Sequence, residues 1–169
     1  SIVRVMAGPE KKSLRVTDED RRQTAYHECG HAIVSYYIPE CDPVREVTTI
    51  PRGMAAGYTL YIPKDERQHM SRAEMCAHMA SCMGGRAAEE LAFHDQFTGA
   101  SNDIKQATKL ARDMVTEYGM SEKLGPVYLG SEREVFLGKS FAQESMGLSE
   151  HVTALIDAEV HALVDAAYA

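Results

Sequence analysis

The chain has 169 residues, of which 44% are hydrophobic and 25% charged, with a formal net charge of −7. That balance suits one globular domain with a real core, and the acidic surplus, without any Lys/Arg-rich run or aromatics interleaved with basic residues, argues against nucleic acid as a partner. No apolar stretch approaches the roughly 18 residues of a membrane span, and Ser1-Ile2-Val3-Arg4 lacks the apolar core of a signal peptide.

Residues 1–16 show no sustained periodicity, and Gly8-Pro9-Glu10-Lys11-Lys12-Ser13 reads as a polar connector, which sets the expected boundaries at 1–16 and 17–169. Thr17 with Asp20 three residues on resembles a capping box and opens a helix expected to reach about Tyr37, where Ile38-Pro39 ends it. Residues 44–50 and 57–62 are rich in Val, Thr, Tyr and Ile between proline and glycine, and predict two strands around a turn. Ser71-Arg72-Ala73-Glu74 is a second capping box, and its helix carries Met75, Met79, Cys82 and Met83 on one side as a core stripe. Gly84-Gly85-Arg86 either breaks that helix or marks two places where another backbone comes close, and helical character resumes over 86–93. After a loop over 94–100, Ser101-Asn102 is expected to cap a helix from about Asp103 to Tyr118, stopped by Gly119. Val127-Tyr128-Leu129 looks like a short strand, and Ser149 caps a final helix with apolar residues from Val152 to Val164 at helical spacing. The cysteines Cys29, Cys41, Cys76 and Cys82 form no Cys-x-x-Cys pair, which points to reduced thiols in a cytosol-like compartment.

Chemistry concentrates in His27-Glu28-Cys29-Gly30-His31. Histidines four apart on a helix share a face, so both imidazoles can reach one metal ion, and Glu28 is turned aside far enough to act on a water at that ion. Zinc lowers the pKa of such a water, and a neighbouring carboxylate can take its proton and return it to a leaving nitrogen. The mechanical reading of H-E-x-x-H is a metalloprotease. The small or apolar flanks Thr24-Ala25-Tyr26 and Ala32-Ile33-Val34 fit a helix passing through a core. Cys29 faces away from the pair. A catalytic zinc needs a third protein ligand, and spacing leaves His69, His78, His94, Glu89, Glu90, Asp95 and Asp103 all open.

Several ordered blocks go further. His27-Glu28-Cys29-Gly30-His31-Ala32, Gly57-Tyr58-Thr59, Gly84-Gly85-Arg86-Ala87-Ala88-Glu89-Glu90, Thr98-Gly99-Ala100-Ser101-Asn102-Asp103-Ile104 and Gly119-Met120-Ser121-Glu122-Lys123-Leu124-Gly125-Pro126 together resemble the peptidase domain of the FtsH family of ATP-dependent membrane zinc proteases. The resemblance implies a mainly α fold, a helical zinc-peptidase domain with a small β-hairpin beside the H-E-x-x-H helix. It implies zinc, one ion per chain, on His27, His31 and Asp103, with Glu28 as the catalytic base and Glu89 as supporting structure. It also implies that 1–16 is a connector from an ATPase module outside these residues, so that ATP acts only through that module. Polypeptide substrates, a homo-hexamer, and covalently linked ATPase and transmembrane segments in the parent follow from it, as does a membrane-anchored parent with this domain in a bacterial cytoplasm or an organelle interior. The sequence departs from the family pattern at Cys29, where alanine is usual, and at Phe97 in a short 94–97 loop. Two other readings stand beside this one: a zinc-stabilised interaction module with a closed site, and a metal-free helical packing domain.

Overall fold

A computed structural model describes residues 16–51, 56–63, 69–130 and 148–169. The expected connector, apart from Val16, lies outside the described residues.

Helix α1, Asp18–Tyr37, starts at the expected capping box: Thr17 Oγ1 accepts from Asp20 N at 3.0 Å, and the Asp20 carboxylate accepts from Thr17 N. It ends where Ile38 turns extended before Pro39. Strands β1, Val44–Thr48, and β2, Tyr58–Tyr61, pair antiparallel and are shorter than the runs of suitable residues around them. Glu46 faces Leu60 while Val44 faces Tyr61, so Arg45 is an extra residue that bends β1. Both strands lie against α1.

Helix α2, Arg72–Phe93, runs unbroken through Gly84-Gly85 from its own capping box at Ser71. The two glycines mark close approach instead of a break. A Cβ at Gly30 of α1 would lie 2.3 Å from the Gly84 carbonyl oxygen, so the two helix backbones touch there. His94 closes α2 in the left-handed region, at φ 54°.

A 3-10 turn, Thr98–Ala100, leads directly into α3, Ser101–Thr116. The expected cap is corrected here: Ser101 is the first helical residue, and the position before it is Ala100, fully buried and without a side-chain bond. The turn replaces the missing cap by donating Ser101 N to Thr98 O. α3 stops at Thr116, short of Tyr118, and the chain reverses through Gly119 at φ 60° with Met120 N donating to Met114 O. The stretch Val127-Tyr128-Leu129 forms no strand; Leu129 N donates to the end of α3 at Thr116 O. Helix α4, Glu150–Tyr168, follows Ser149 as expected. No described helix is long and apolar enough to cross a membrane.

The methionine stripe is core. Met75, Met79 and Met83 of α2 pack with Ala107, Ala111, Met114 and Val115 of α3 and with Ile156 and Val160 of α4. Cys82 is half-buried, packed against this core while also bordering the cavity at the candidate site. α1 behaves oppositely to the expectation of a helix buried by its apolar flanks. It buries Glu28, Gly30, His31 and Ser35 and leaves Ile33 and Tyr36 in solvent, because its partners on α2 and β2 offer hydrogen bonds and a glycine contact in place of apolar surface.

Candidate metal centre

One turn of α1 separates His27 from His31, and the first turn of α3 brings Asp103 across from them. His27 Nε2 and His31 Nε2 stand 3.1 Å apart, and Asp103 Oδ2 lies 3.2 Å from the first and 3.7 Å from the second. Three ligands held 2.0–2.1 Å from a tetrahedral zinc stand roughly 3.3 Å apart, which these separations bracket. Among the described residues these three form the one group of potential ligands that converges on a point.

The far side of each imidazole fixes which nitrogen faces that point. His31 Nδ1 lies 2.7 Å from the Ser81 carbonyl oxygen, which can only accept, so Nδ1 carries hydrogen and Nε2 presents a lone pair. His27 Nδ1 lies 2.7 Å from Glu89 Oε1, with the same consequence when Glu89 is ionised. Two lone pairs and a carboxylate oxygen therefore meet, and that arrangement repels itself unless a proton or a metal cation sits among them. The protonated imidazole of His27 is accordingly favoured: burial works against it, but hydrogen bonds and charge from Asp103 and Glu89 outweigh burial and raise its pKa. A divalent cation fits the same donors by displacing the proton.

Local structure makes room for this cluster. A Cβ at Gly85 would lie 2.6 Å from both His27 Cε1 and His31 Nε2, so only glycine leaves space for the two rings. Behind His31, Ser35 Oγ donates to the His31 carbonyl at 2.8 Å and contacts Ser81 Oγ at 2.7 Å, and Tyr61 OH reaches Ser81 Oγ at 3.1 Å. Glu89 is 1% exposed, its Oε1 lies against His27 Nδ1, and its Oε2 has no hydrogen-bond partner among the described residues. Glu28 is buried at 8% exposure, and burial raises its pKa although Thr59 and the two histidines pull the other way.

All four residues singled out by sequence border one cavity of about 1040 Å³, whose walls also carry Gly57, Tyr58 and Thr59 of the β2 side and Gly99 and Asn102 of the α3 side. Of the other third-ligand candidates, His69, His94 and Asp95 are exposed, Glu90 bonds to Tyr168 OH, Glu89 bonds His27 from behind, and His78 lines the cavity outside the convergent group. Sequence reasoning missed the Ser81 carbonyl, which as a backbone group leaves no trace in residue type, and the Thr59 hydroxyl, hidden in a run that reads as an ordinary strand.

The profile of peptidase family M41 matches residues 14–169, and the chain belongs to that family. Among curated relatives, the ATP-dependent zinc metalloprotease FtsH of Caldicellulosiruptor bescii is 49% identical over 99% of this chain and 27% of its own length. Those of Rubrobacter xylanophilus and Cutibacterium acnes are 49% and 48% identical over 99% of this chain and 26% and 23% of their own lengths. The chain spans about a quarter of the length of the relatives it matches.

Proposed function

We propose that this chain is the peptidase portion of an ATP-dependent zinc endopeptidase, with one zinc ion held by His27 Nε2, His31 Nε2 and Asp103 Oδ2 and with Glu28 as general base. The observation that carries this reading is the meeting of three lone-pair-bearing atoms, two of them on imidazoles whose other nitrogens are already engaged, beside a buried carboxylate in an open cavity. When bound there, zinc would polarise the scissile carbonyl and acidify a water. Glu28 takes the proton of the attacking water and delivers it to the leaving nitrogen, and its raised pKa suits a group that must hold that proton between the two transfers. Glu89 and the Ser81 carbonyl keep the imidazoles in the tautomer and orientation that binding requires.

The substrate in this reading is an unfolded or damaged polypeptide, laid extended along β2, with recognition through backbone hydrogen bonds and little side-chain selectivity. These 169 residues contain no Gly-x-x-x-x-Gly-Lys-[Ser/Thr] phosphate loop, so coupling to ATP belongs to a linked module. A homo-hexameric, membrane-anchored parent, with this domain in a reducing compartment, completes the proposal.

The test uses the full-length protein and a short quenched peptide that needs no unfolding. Glu28→Gln is expected to keep its zinc, measured by elemental analysis, while turnover falls about 100-fold or more. Asp103→Ala is expected to lose zinc in competition with a chromophoric chelator. Unchanged turnover in the first variant refutes the base, and unchanged zinc affinity in the second refutes the ligand set. A zinc-stabilised interaction module would show no peptide cleavage at all, and a metal-free packing domain would bind no zinc.

A further inference from the structure

We infer that Thr59 is the positioning residue for Glu28, holding one carboxylate oxygen so that the other is aimed at the proton to be moved. The inference rests on the reading of Glu28 as general base. A glutamate has three side-chain torsions, and a position directly after a ligand histidine does not by itself fix any of them. In this fold the fixing comes from the sheet. Thr59 Oγ1 lies 2.8 Å from Glu28 Oε2 and 3.0 Å from the Glu28 carbonyl oxygen, so one hydroxyl bridges the carboxylate and the backbone of the same residue. Its single hydrogen is donated to one of these acceptors at a time, and the shorter contact, to Oε2, is the one that ties the carboxylate to the strand.

The hydroxyl is itself held firmly. Threonine is β-branched and stiff at its first torsion, and Thr59 is paired with Val47 across the sheet, which sets its height along α1. Two residues earlier, a Cβ at Gly57 would lie 2.7 Å from Thr24 Cγ2, 2.6 Å from Thr48 O and 3.2 Å from Glu28 Cγ. The strand thus comes close enough to reach Glu28 only because position 57 has no side chain. With Oε2 engaged, Oε1 makes no hydrogen bond among the described residues and remains the oxygen for proton transfer. Thr59 also borders the cavity, on the strand proposed to align the substrate, so one element would set the position of both the peptide and the base.

The experiment compares Thr59→Val and Thr59→Ser in the zinc-loaded full-length protein, with Glu28→Gln as reference. Valine keeps the branched shape and removes the hydroxyl; serine keeps the hydroxyl. For a short quenched peptide, Thr59→Val is expected to lower kcat about 10-fold or more with KM changed less than about 2-fold, while Thr59→Ser returns kcat to within about 3-fold of the parent. Zinc content and thermal midpoint should match the parent in both variants. Parental kcat in Thr59→Val overturns the inference, as does equal damage in valine and serine, which would mean that shape and not the hydroxyl matters. A shift confined to KM also overturns it, since that would place Thr59 on the substrate. Should Glu28→Gln itself retain turnover, the failure lies with the base and not with Thr59.

Discussion

Gly85→Ala is the substitution for which the structure gives the sharpest expectation. The added methyl would start 2.6 Å from His27 Cε1 and from His31 Nε2 and 2.8 Å from His27 Nδ1, against ordinary contacts of about 3.4 Å or more. Relief requires the rings and the methyl to separate by roughly 0.8 Å, several times the ±0.2 Å within which metal–ligand distances are held. Zinc affinity should therefore fall by about 10- to 100-fold, the scale of loss when a supporting position is disturbed. The fold should survive, because overpacking costs about 1–3 kcal/mol while replacing a mid-helix glycine by alanine returns about 0.5–1 kcal/mol. The measurement is chelator competition for zinc beside a denaturant melt of the metal-free protein. Gly99→Ala is the control: its Cβ would meet nothing nearer than Glu89 Oε1 at 3.8 Å, and its zinc affinity should match the parent. Undiminished zinc binding in Gly85→Ala would refute the claim that this glycine sets the space for the two rings.

Met79→Ala empties a fully buried position between α2, α3 and α4 and should cost about 2–5 kcal/mol in denaturant unfolding, with a smaller loss showing that the core collapses into the gap. Cys82 should resist alkylation: burial first, then the nearby charge of Asp103 and of Cys41, pushes its thiol up to about 11, so at pH 8 almost none is thiolate. Exposed Cys29 should react with iodoacetamide well before Cys82, read by mass spectrometry of the peptides, and similar rates would contradict this environment for Cys82.

Much of the frame was legible because its signals are local. Thr17 with Asp20 and Ser71 with Glu74 announce helix starts through bonds spanning three residues, and both capping boxes are found. The His27 and His31 pairing follows from one helical turn. Asp103 is different. Its approach to His27 depends on how α3 packs on α2, which in turn holds α1, and no spacing encodes that; only the resemblance of whole blocks singled it out from seven candidates. Where sequence reasoning strayed, tertiary contacts had replaced local ones. The 3-10 turn before α3 made a Ser101 cap unnecessary, Val127-Tyr128-Leu129 had no neighbouring strand to pair with, and α1 buried its polar side because Glu89, Ser81 and Thr59 were waiting for it. Gly84-Gly85 was ambiguous for the same reason: a glycine shows that space is needed without showing what fills it.

The touch between Gly30 and Gly84 gives the molecule two mechanical regimes along α2. Near Met75 and Met79 the neighbours are long thioether side chains, which can re-settle by torsion when a nearby residue changes. At Gly84, directly after Met83, the spacing between α1 and α2 is instead a stop made of peptide atoms, which have no rotamers to yield. Drift in the greasy interior, such as exchange of a methionine for leucine, is then absorbed before it reaches the imidazoles, and the chain can vary widely in its middle while its chemistry stays in register.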